Sequence, residues 1–296
     1  MRTERTQAAR AEARGEVASA DGAIVEEEGA RLVKEPSRRR AGLAVVTGAS
    51  SGIGAALAPR LAADGYDLLL VARREERLRE LAERVREAHG VQARCLALDV
   101  TEEDALERLL EAAPEPAVLV NNAGAGRFGP AVEASPAEQA RIVRLNCESL
   151  TRLTLGYLPG MVSRGRGVVV QMASIAGFQP VPYFAVYAAT KAYVLSFSEA
   201  LDKELEGSGV RVVSVCPGPV PTEFQAAAGS GDAAKEPAYN RRTPEQIAEA
   251  TARAIARPRP VVTAAPYHGF LRFAQRFLPR RTVLSVAARK MRQRGI

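Results

Sequence analysis

The sequence predicts an α/β protein built on a doubly wound parallel sheet. Three observations predict it. Short, continuously apolar runs alternate with helix-forming stretches, a glycine-rich turn follows the first run directly, and that turn leads straight into a helix. Apolar strands alternating with helices are buried on both faces, as in a parallel sheet covered by two helical layers. A chain of 296 residues can bury a sizeable core, and α/β folds of this length often form a single domain.

The elements follow in order. Leu43–Thr47 is the first strand, and Ile53–Ala63 the helix after the glycine turn. Asp67–Ala72 is a second strand, followed by a charged helix at Glu75–His89. Gln92–Leu98 and Ala117–Asn121 are strands separated by a helix over Glu102–Ala112. A long helix at Pro136–Tyr157 leads to a strand at Gly167–Met172, then to the helix that carries Tyr187 and Lys191. A strand at Val210–Cys216, a helix at Pro244–Ala256 and a strand at Pro260–Ala264 close the domain, 41–265. This is a Rossmann-type pattern, whose ligand site lies at the carboxyl edge of the strands.

Residues 1–40 are rich in Ala, Arg and Glu, lack Tyr and Phe, and read as a disordered extension. They contain no apolar stretch of the secretory kind, and their glutamates argue against a transit peptide. Residues 266–296 form a basic tail, with eight Arg/Lys and no acidic residue. The net charge of +7 therefore resides mainly there, while 41–265 carries −2. No basic-aromatic stripe points to nucleic acid. Cys95, Cys147 and Cys216 are scattered, and His89 and His268 lie far apart, so a metal site is not expected. The thiols indicate a reducing compartment, and the expected location is the cytoplasm. No apolar run approaches the ~18 residues of a membrane span.

The turn Thr47-Gly48-Ala49-Ser50-Ser51-Gly52-Ile53-Gly54 carries the first chemical signal. Glycines let the backbone turn sharply and approach a pyrophosphate, which rests on outward-pointing N–H groups at the helix start. The second signal is Tyr187 and Lys191, four residues apart and hence on one helix face. A fixed positive neighbour favours the phenolate, so the pair reads as a proton donor and acceptor for carbonyl–alcohol chemistry.

Taken with further motifs, these segments resemble the short-chain dehydrogenase/reductase family. The turn is similar to its cofactor loop, and Asn121-Asn122-Ala123-Gly124 to its motif after the fourth strand. Ser174, thirteen residues before Tyr187, matches its catalytic serine, and Tyr187/Lys191 its Tyr-x-x-x-Lys. Asn146 falls where the family has a structural and proton-relay asparagine; Asp99-Val100, Pro217-Gly218 and Thr222 complete the set. The resemblance runs from about residue 43 to 265 in family order, with no departure at a catalytic position.

It implies that Ser174 orients a substrate carbonyl and Tyr187 exchanges its proton. It also implies that Lys191 lowers the tyrosine pKa and binds the nicotinamide ribose, while Asn146 holds a water chain. Gly48, Ser50, Ser51, Gly52, Ile53 and Gly54 would hold the pyrophosphate side. Asp99 would meet the adenine amino group, and Val100 its ring. Asn122, Ala123, Gly124, Pro217, Gly218 and Thr222 would complete the cofactor site. The second strand ends in Ala72-Arg73-Arg74 rather than in an acidic residue. A 2′-phosphate can pair with Arg73, which favours NADP(H) over NAD(H), the second candidate.

The expected activity is NADP(H)-dependent interconversion of a carbonyl and an alcohol. The alternatives are an NAD-dependent alcohol or steroid dehydrogenase, a membrane-peripheral acyl or lipid carbonyl reductase, and a cofactor-binding sensor or scaffold. Family members are commonly homodimers or homotetramers. Phe178, Pro180, Phe224 and Tyr183 are candidates for an apolar substrate pocket, and Gln225–Arg242 for a mobile lid or a disordered insertion. In the tail, Phe270, Leu271, Phe273, Phe277 and Leu278 mix with arginines, and a helix over Val283–Arg294 has Val283, Leu284, Val286 and Ala287 on its apolar side. That helix either lies on an anionic membrane surface or packs on the core or a partner subunit.

Overall fold

A computed structural model describes residues 41–229, 241–265, 269, 273 and 277–293, all within one compact unit. The expected extension at 1–40 lies outside the described residues, as do 230–240 of the lid segment and Phe270, Leu271, Arg272 and Arg276 of the tail.

Strands β1 (Gly42–Thr47), β2 (Tyr66–Ala72), β3 (Ala93–Ala97), β4 (Val118–Asn121), β5 (Gly167–Met172), β6 (Val210–Cys216) and β7 (Val261–Thr263) form one sheet. Its order is β3-β2-β1-β4-β5-β6-β7, and every neighbouring pair is parallel. Successive strand residues point to opposite faces, so the continuous apolar runs feed two cores. Ala44, Val46, Leu68 and Leu70 pack on one side against α1 (Gly52–Ala63), α2 (Glu75–His89) and α8 (Pro244–Ala256). Val45, Leu69 and Val71 pack on the other against α3 (Ala105–Ala112), α5 (Leu150–Ser163) and α6 (Ala185–Glu204). The predicted doubly wound class is therefore the observed one.

Two helices differ from expectation for local reasons. The helix expected from Glu102 begins at Ala105. Ahead of it, the Asp99 carboxylate accepts hydrogen bonds from the Thr101 amide and hydroxyl, and Glu102 N–H bonds back to the Asp99 carbonyl, holding a turn. The helix expected over Pro136–Tyr157 is α4 (Pro136–Val143), a π-helical segment (Arg144–Ser149), and α5, which runs on to Ser163 through Pro159. Further helices among the described residues include α7 (Glu223–Ala227) and α9 (Arg280–Gln293). Among the described residues, no helix is long and apolar enough to cross a membrane.

The chain reverses direction across the sheet between β1 and β4, and such a switch point opens a crevice at the carboxyl ends of the strands. Every motif singled out from the sequence lies at or near that edge.

Candidate active site

A cavity of about 880 Å³ occupies this crevice, within the size range of cofactor and small-molecule sites. Its floor is the turn between β1 and α1, contributing Gly48, Ser50, Ser51, Gly52 and Ile53. Gly48 and Gly52 have φ of +66° and +56°, a left-handed backbone that glycine adopts without a Cβ clash. Ser51 caps α1 in an extended conformation, its side chain makes no capping bond, and the first turn of α1 holds no acidic residue. The positive end of this helix dipole therefore faces the cavity unneutralised from within its first turn.

The walls come from the ends of the other strands. Asn122 Nδ2 donates to the carbonyls of Thr47 (2.9 Å) and Gly48 (3.2 Å), and its N–H donates to Thr47 Oγ1 (3.0 Å). Ala123 N–H shares that hydroxyl. These bonds tie the end of β4 to the glycine turn, so two motifs distant in sequence form one rigid lip. Asp99, Val100, Asn122, Ala123 and Gly124 line one side; Pro217, Gly218 and Thr222 line another. A Cβ on Gly52 would lie 3.1 Å from the Thr222 methyl, so Thr222 sits directly over the turn. Of the residues expected in the site, Gly54 and Asn146 do not line the cavity. Both act from behind it.

Asn146 is buried in the π-helical segment. Its Oδ1 accepts from Ala125 N–H (3.0 Å), and its Nδ2 donates to the Ala125 carbonyl (2.8 Å) and Thr190 Oγ1 (3.0 Å). An extra residue in the turn re-aims a side chain, which is why such segments recur at functional sites. Here it pins the loop after β4 to α6. A Cβ on Gly124 would lie 3.3 Å from Asn146 Oδ1 and 3.6 Å from Lys191 Nζ. The amide oxygen and the ammonium thus face one gap that the glycine leaves open.

Tyr187 and Lys191 both line the cavity from α6, confirming their shared face. Lys191 Nζ donates to the Met172 carbonyl (2.7 Å) and lies 5.6 Å from the Tyr187 ring centroid. Burial pushes the ammonium down to about 8. Burial also pushes the phenol up, to about 12, against the lowering effect of its hydrogen bond with Ser174. The sequence led us to expect a depressed phenol. In the structure desolvation dominates, and the Lys191 ammonium directs its proton at the Met172 carbonyl. Ser174 caps the short 3₁₀ turn Ile175–Phe178, and its Oγ accepts from Ala176 N–H (3.1 Å). That leaves the hydroxyl proton for an oxygen at the Tyr187 position.

Arginine geometry revises the cofactor argument. Arg73 is 79% exposed and lies 3.6 Å from Asp99 Oδ2. Arg74, not singled out from the sequence, reaches over the glycine turn. It donates to Ser50 Oγ (3.1 and 3.2 Å) and Ser51 Oγ (2.8 Å), and its Nη1 pairs with Glu223 at 2.6 Å. Position in the Ala-Arg-Arg run gave no way to choose between the two.

The Tyr187 end of the cavity is rich in aromatic side chains. Phe184 stacks on Phe128 (centroids 3.6 Å) and on Tyr187 (4.2 Å), and Phe224 lies 5.5 Å from Tyr187. Phe178 lines the cavity, as expected, whereas Pro180 and Tyr183 do not. Tyr183 has φ of +64°, an uncommon conformation for an aromatic residue. Cys147 is a half-buried thiol pushed up by burial, consistent with packing. The tail closes the site: Ala287 and Met291 of α9 are buried and line the cavity. This bears out packing of the tail on the core. Val286, assigned above to the apolar side, is 63% exposed, because the packed face follows 283/284/287/291 instead.

The short chain dehydrogenase family model matches residues 42–233, and the chain belongs to that family of oxidoreductases. Sulfoacetaldehyde reductase 2 of Chromohalobacter salexigens is 38% identical over 217 residues, 70% of this chain and 85% of that protein. The very-long-chain 3-oxoacyl-CoA reductase of Phaeosphaeria nodorum is 33% identical over 259 residues, 82% of this chain and 74% of the relative. Among solved structures, the short-chain dehydrogenase from Sphingobium yanoikuyae in complex with NADPH has a TM-score of 0.70 at 36% identity, covering 75% of this chain and 87% of that one.

Proposed function

We propose that the chain is an NADP(H)-dependent oxidoreductase that interconverts a ketone or aldehyde and its alcohol, with Tyr187 as general acid/base. The observation that carries this reading is the buried Tyr187, with Ser174 and Lys191, in one cavity with the glycine turn. The relatives support it, since two are named as reductases of an aldehyde and of a 3-oxoacyl thioester, and one neighbour holds NADPH.

The residues present suit a dinucleotide phosphate. The glycine turn and the start of α1 would hold the pyrophosphate; Asp99 and Val100 the adenine; Asn122, Ala123, Gly124, Pro217, Gly218 and Thr222 the middle and nicotinamide end. When bound, the cofactor supplies or accepts the hydride. Ser174 donates a hydrogen bond to the carbonyl oxygen and fixes its position. Tyr187 delivers a proton to that same oxygen, or removes it in the reverse direction. Lys191, braced by Met172, places a positive charge beside the phenol and binds the ribose. Asn146 holds the loop and the gap at Gly124 through which water can reach Lys191.

For the 2′-phosphate we assign Arg74 together with Arg73, flanked by Ser50 and Ser51. Arg74→Ala is expected to lower the preference for NADPH over NADH at least about tenfold, the size of a charge-assisted hydrogen bond. Steady-state KM values for both cofactors measure it. Wild-type NADH binding as tight as NADPH binding would overturn the assignment.

The same reading includes a cytoplasmic setting, a homodimer or homotetramer, and a peripheral surface contact by the tail. Supporting the last two are Leu155 and Tyr193 exposed on α5 and α6, and exposed Phe273, Phe277 and Leu278 beside Arg280 and Arg281. Light scattering and flotation with anionic vesicles check both. A mass of one 31.6 kDa chain rejects the assembly, and failure to float rejects the surface contact.

A further inference from the structure

The α9 helix lies beyond residues 42–233 matched by the family pattern, yet it reaches the reacting end of the cavity. Met291 is 4% exposed and packs in one cluster with Phe184 and Tyr187, joined by Phe128, Val181 and Phe224. Ala287, one turn earlier on the same face, also lines the cavity. Leu284 and Ala288 border Pro182 in an adjoining surface hollow, so the helix stands on the loop that leads into α6. Of the charged lining residues, Arg73, Arg74, Asp99 and Glu223 gather about the glycine turn, Glu138, Arg141 and Arg144 come from α4 and the π-helical segment, and Lys191 comes from α6 beside Tyr187. Beside the Lys191 ammonium, the Tyr187 ring packs with aromatic, aliphatic and thioether groups.

We propose that α9 is the specificity wall of this site, with Met291 limiting the group that can lie against Tyr187, and that the substrate is a carbonyl compound bearing a bulky apolar group. The inference rests on the carbonyl chemistry proposed above and adds the substrate class. A small anionic aldehyde, of the kind named for the Chromohalobacter relative, has no hydrocarbon group to set against the wall formed by Phe184 and Met291. A flat or branched hydrocarbon group would instead exchange water for apolar contact. Methionine is unbranched and adaptable, so it can trim such a pocket without rigidly fixing its shape.

The test uses the full chain and 6-methoxy-2-naphthaldehyde, a fluorescent probe whose binding is read without turnover. Met291→Trp is expected to weaken probe binding at least about tenfold, since even one methylene in an apolar pocket changes selectivity by about that much. Met291→Ala is expected to improve binding of the larger 1-pyrenecarboxaldehyde relative to benzaldehyde by a similar factor. Retained NADPH binding marks the folded variants, and Ala287→Phe replaces any that does not fold. Unchanged probe affinity in the folded variants overturns the wall, as does better use of sulfoacetaldehyde than of the naphthaldehyde by the wild type. Failure of the carbonyl chemistry itself shows separately, as probe binding without NADPH-dependent reduction.

Discussion

Tyr187→Phe is expected to lower kcat/KM for carbonyl reduction by about 10²–10⁴, the contribution usual for a positioned acid or base. The substitution removes one oxygen and keeps the ring, so the stack on Phe184 survives and the fold is retained. Because burial holds the phenol up at about 12, it stays protonated throughout the neutral range and is ready to donate. Reduction should therefore be level below the Lys191 value of about 8 and decline above it, as the ammonium loses its proton. Alcohol oxidation needs the phenolate and should rise about tenfold per pH unit through the neutral range. Initial rates in both directions across pH, for wild type and variant, measure this. A variant within threefold of wild-type kcat/KM would show that another group moves the proton.

Local signals account for the elements that were readable from sequence. The α8 helix was readable to the residue because Thr243, Pro244 and Gln246 build a capping box with proline in the first turn. The α2 helix ended where Gly90 takes a left-handed conformation. The pattern also located the cavity, since the glycine turn, Asn122-Ala123-Gly124 and Ser174 sit at carboxyl ends of strands and Tyr187 faces them from α6. What escaped depends on contacts between distant segments. One extra residue per turn at Arg144–Ser149 leaves the apolar pattern nearly unchanged, so the π-helical segment read as a straight helix. The helix expected to end at Tyr157 runs on through Pro159, because its buried face, including Met161, is anchored in the core. Arg74 and Met291 had no motif to mark them. Their roles come from what the fold lays beside them, Ser50 and Ser51 in one case and Tyr187 in the other. The expected depression of the Tyr187 pKa failed similarly, because spacing reports a neighbour but not the depth of burial.

Gly54→Ala is expected to raise the Kd for NADPH at least about tenfold and to destabilise the fold, although Gly54 does not line the cavity. The new Cβ would sit 2.4 Å from the Gly48 carbonyl oxygen and 2.6 Å from Asn122 Nδ2. The nearest of these is backbone and cannot swing aside. The turn must then move away from α1, stretching the Asn122 bonds to Thr47 and Gly48, each of the order of 1 kcal/mol. The cradle for the pyrophosphate moves with it, because those bonds join it to β4. Gly90→Ala separates this crowding from the ordinary cost of replacing a glycine. Gly90 has φ of +67° but nothing within 4 Å of an added Cβ. That variant should lose about 1 kcal/mol through the left-handed backbone alone and bind NADPH as the wild type does. Isothermal titration with NADPH and thermal unfolding of the two variants compare them directly. Equal NADPH affinity in Gly54→Ala and wild type would mean that the close approach of α1 to the turn plays no part in holding the cofactor.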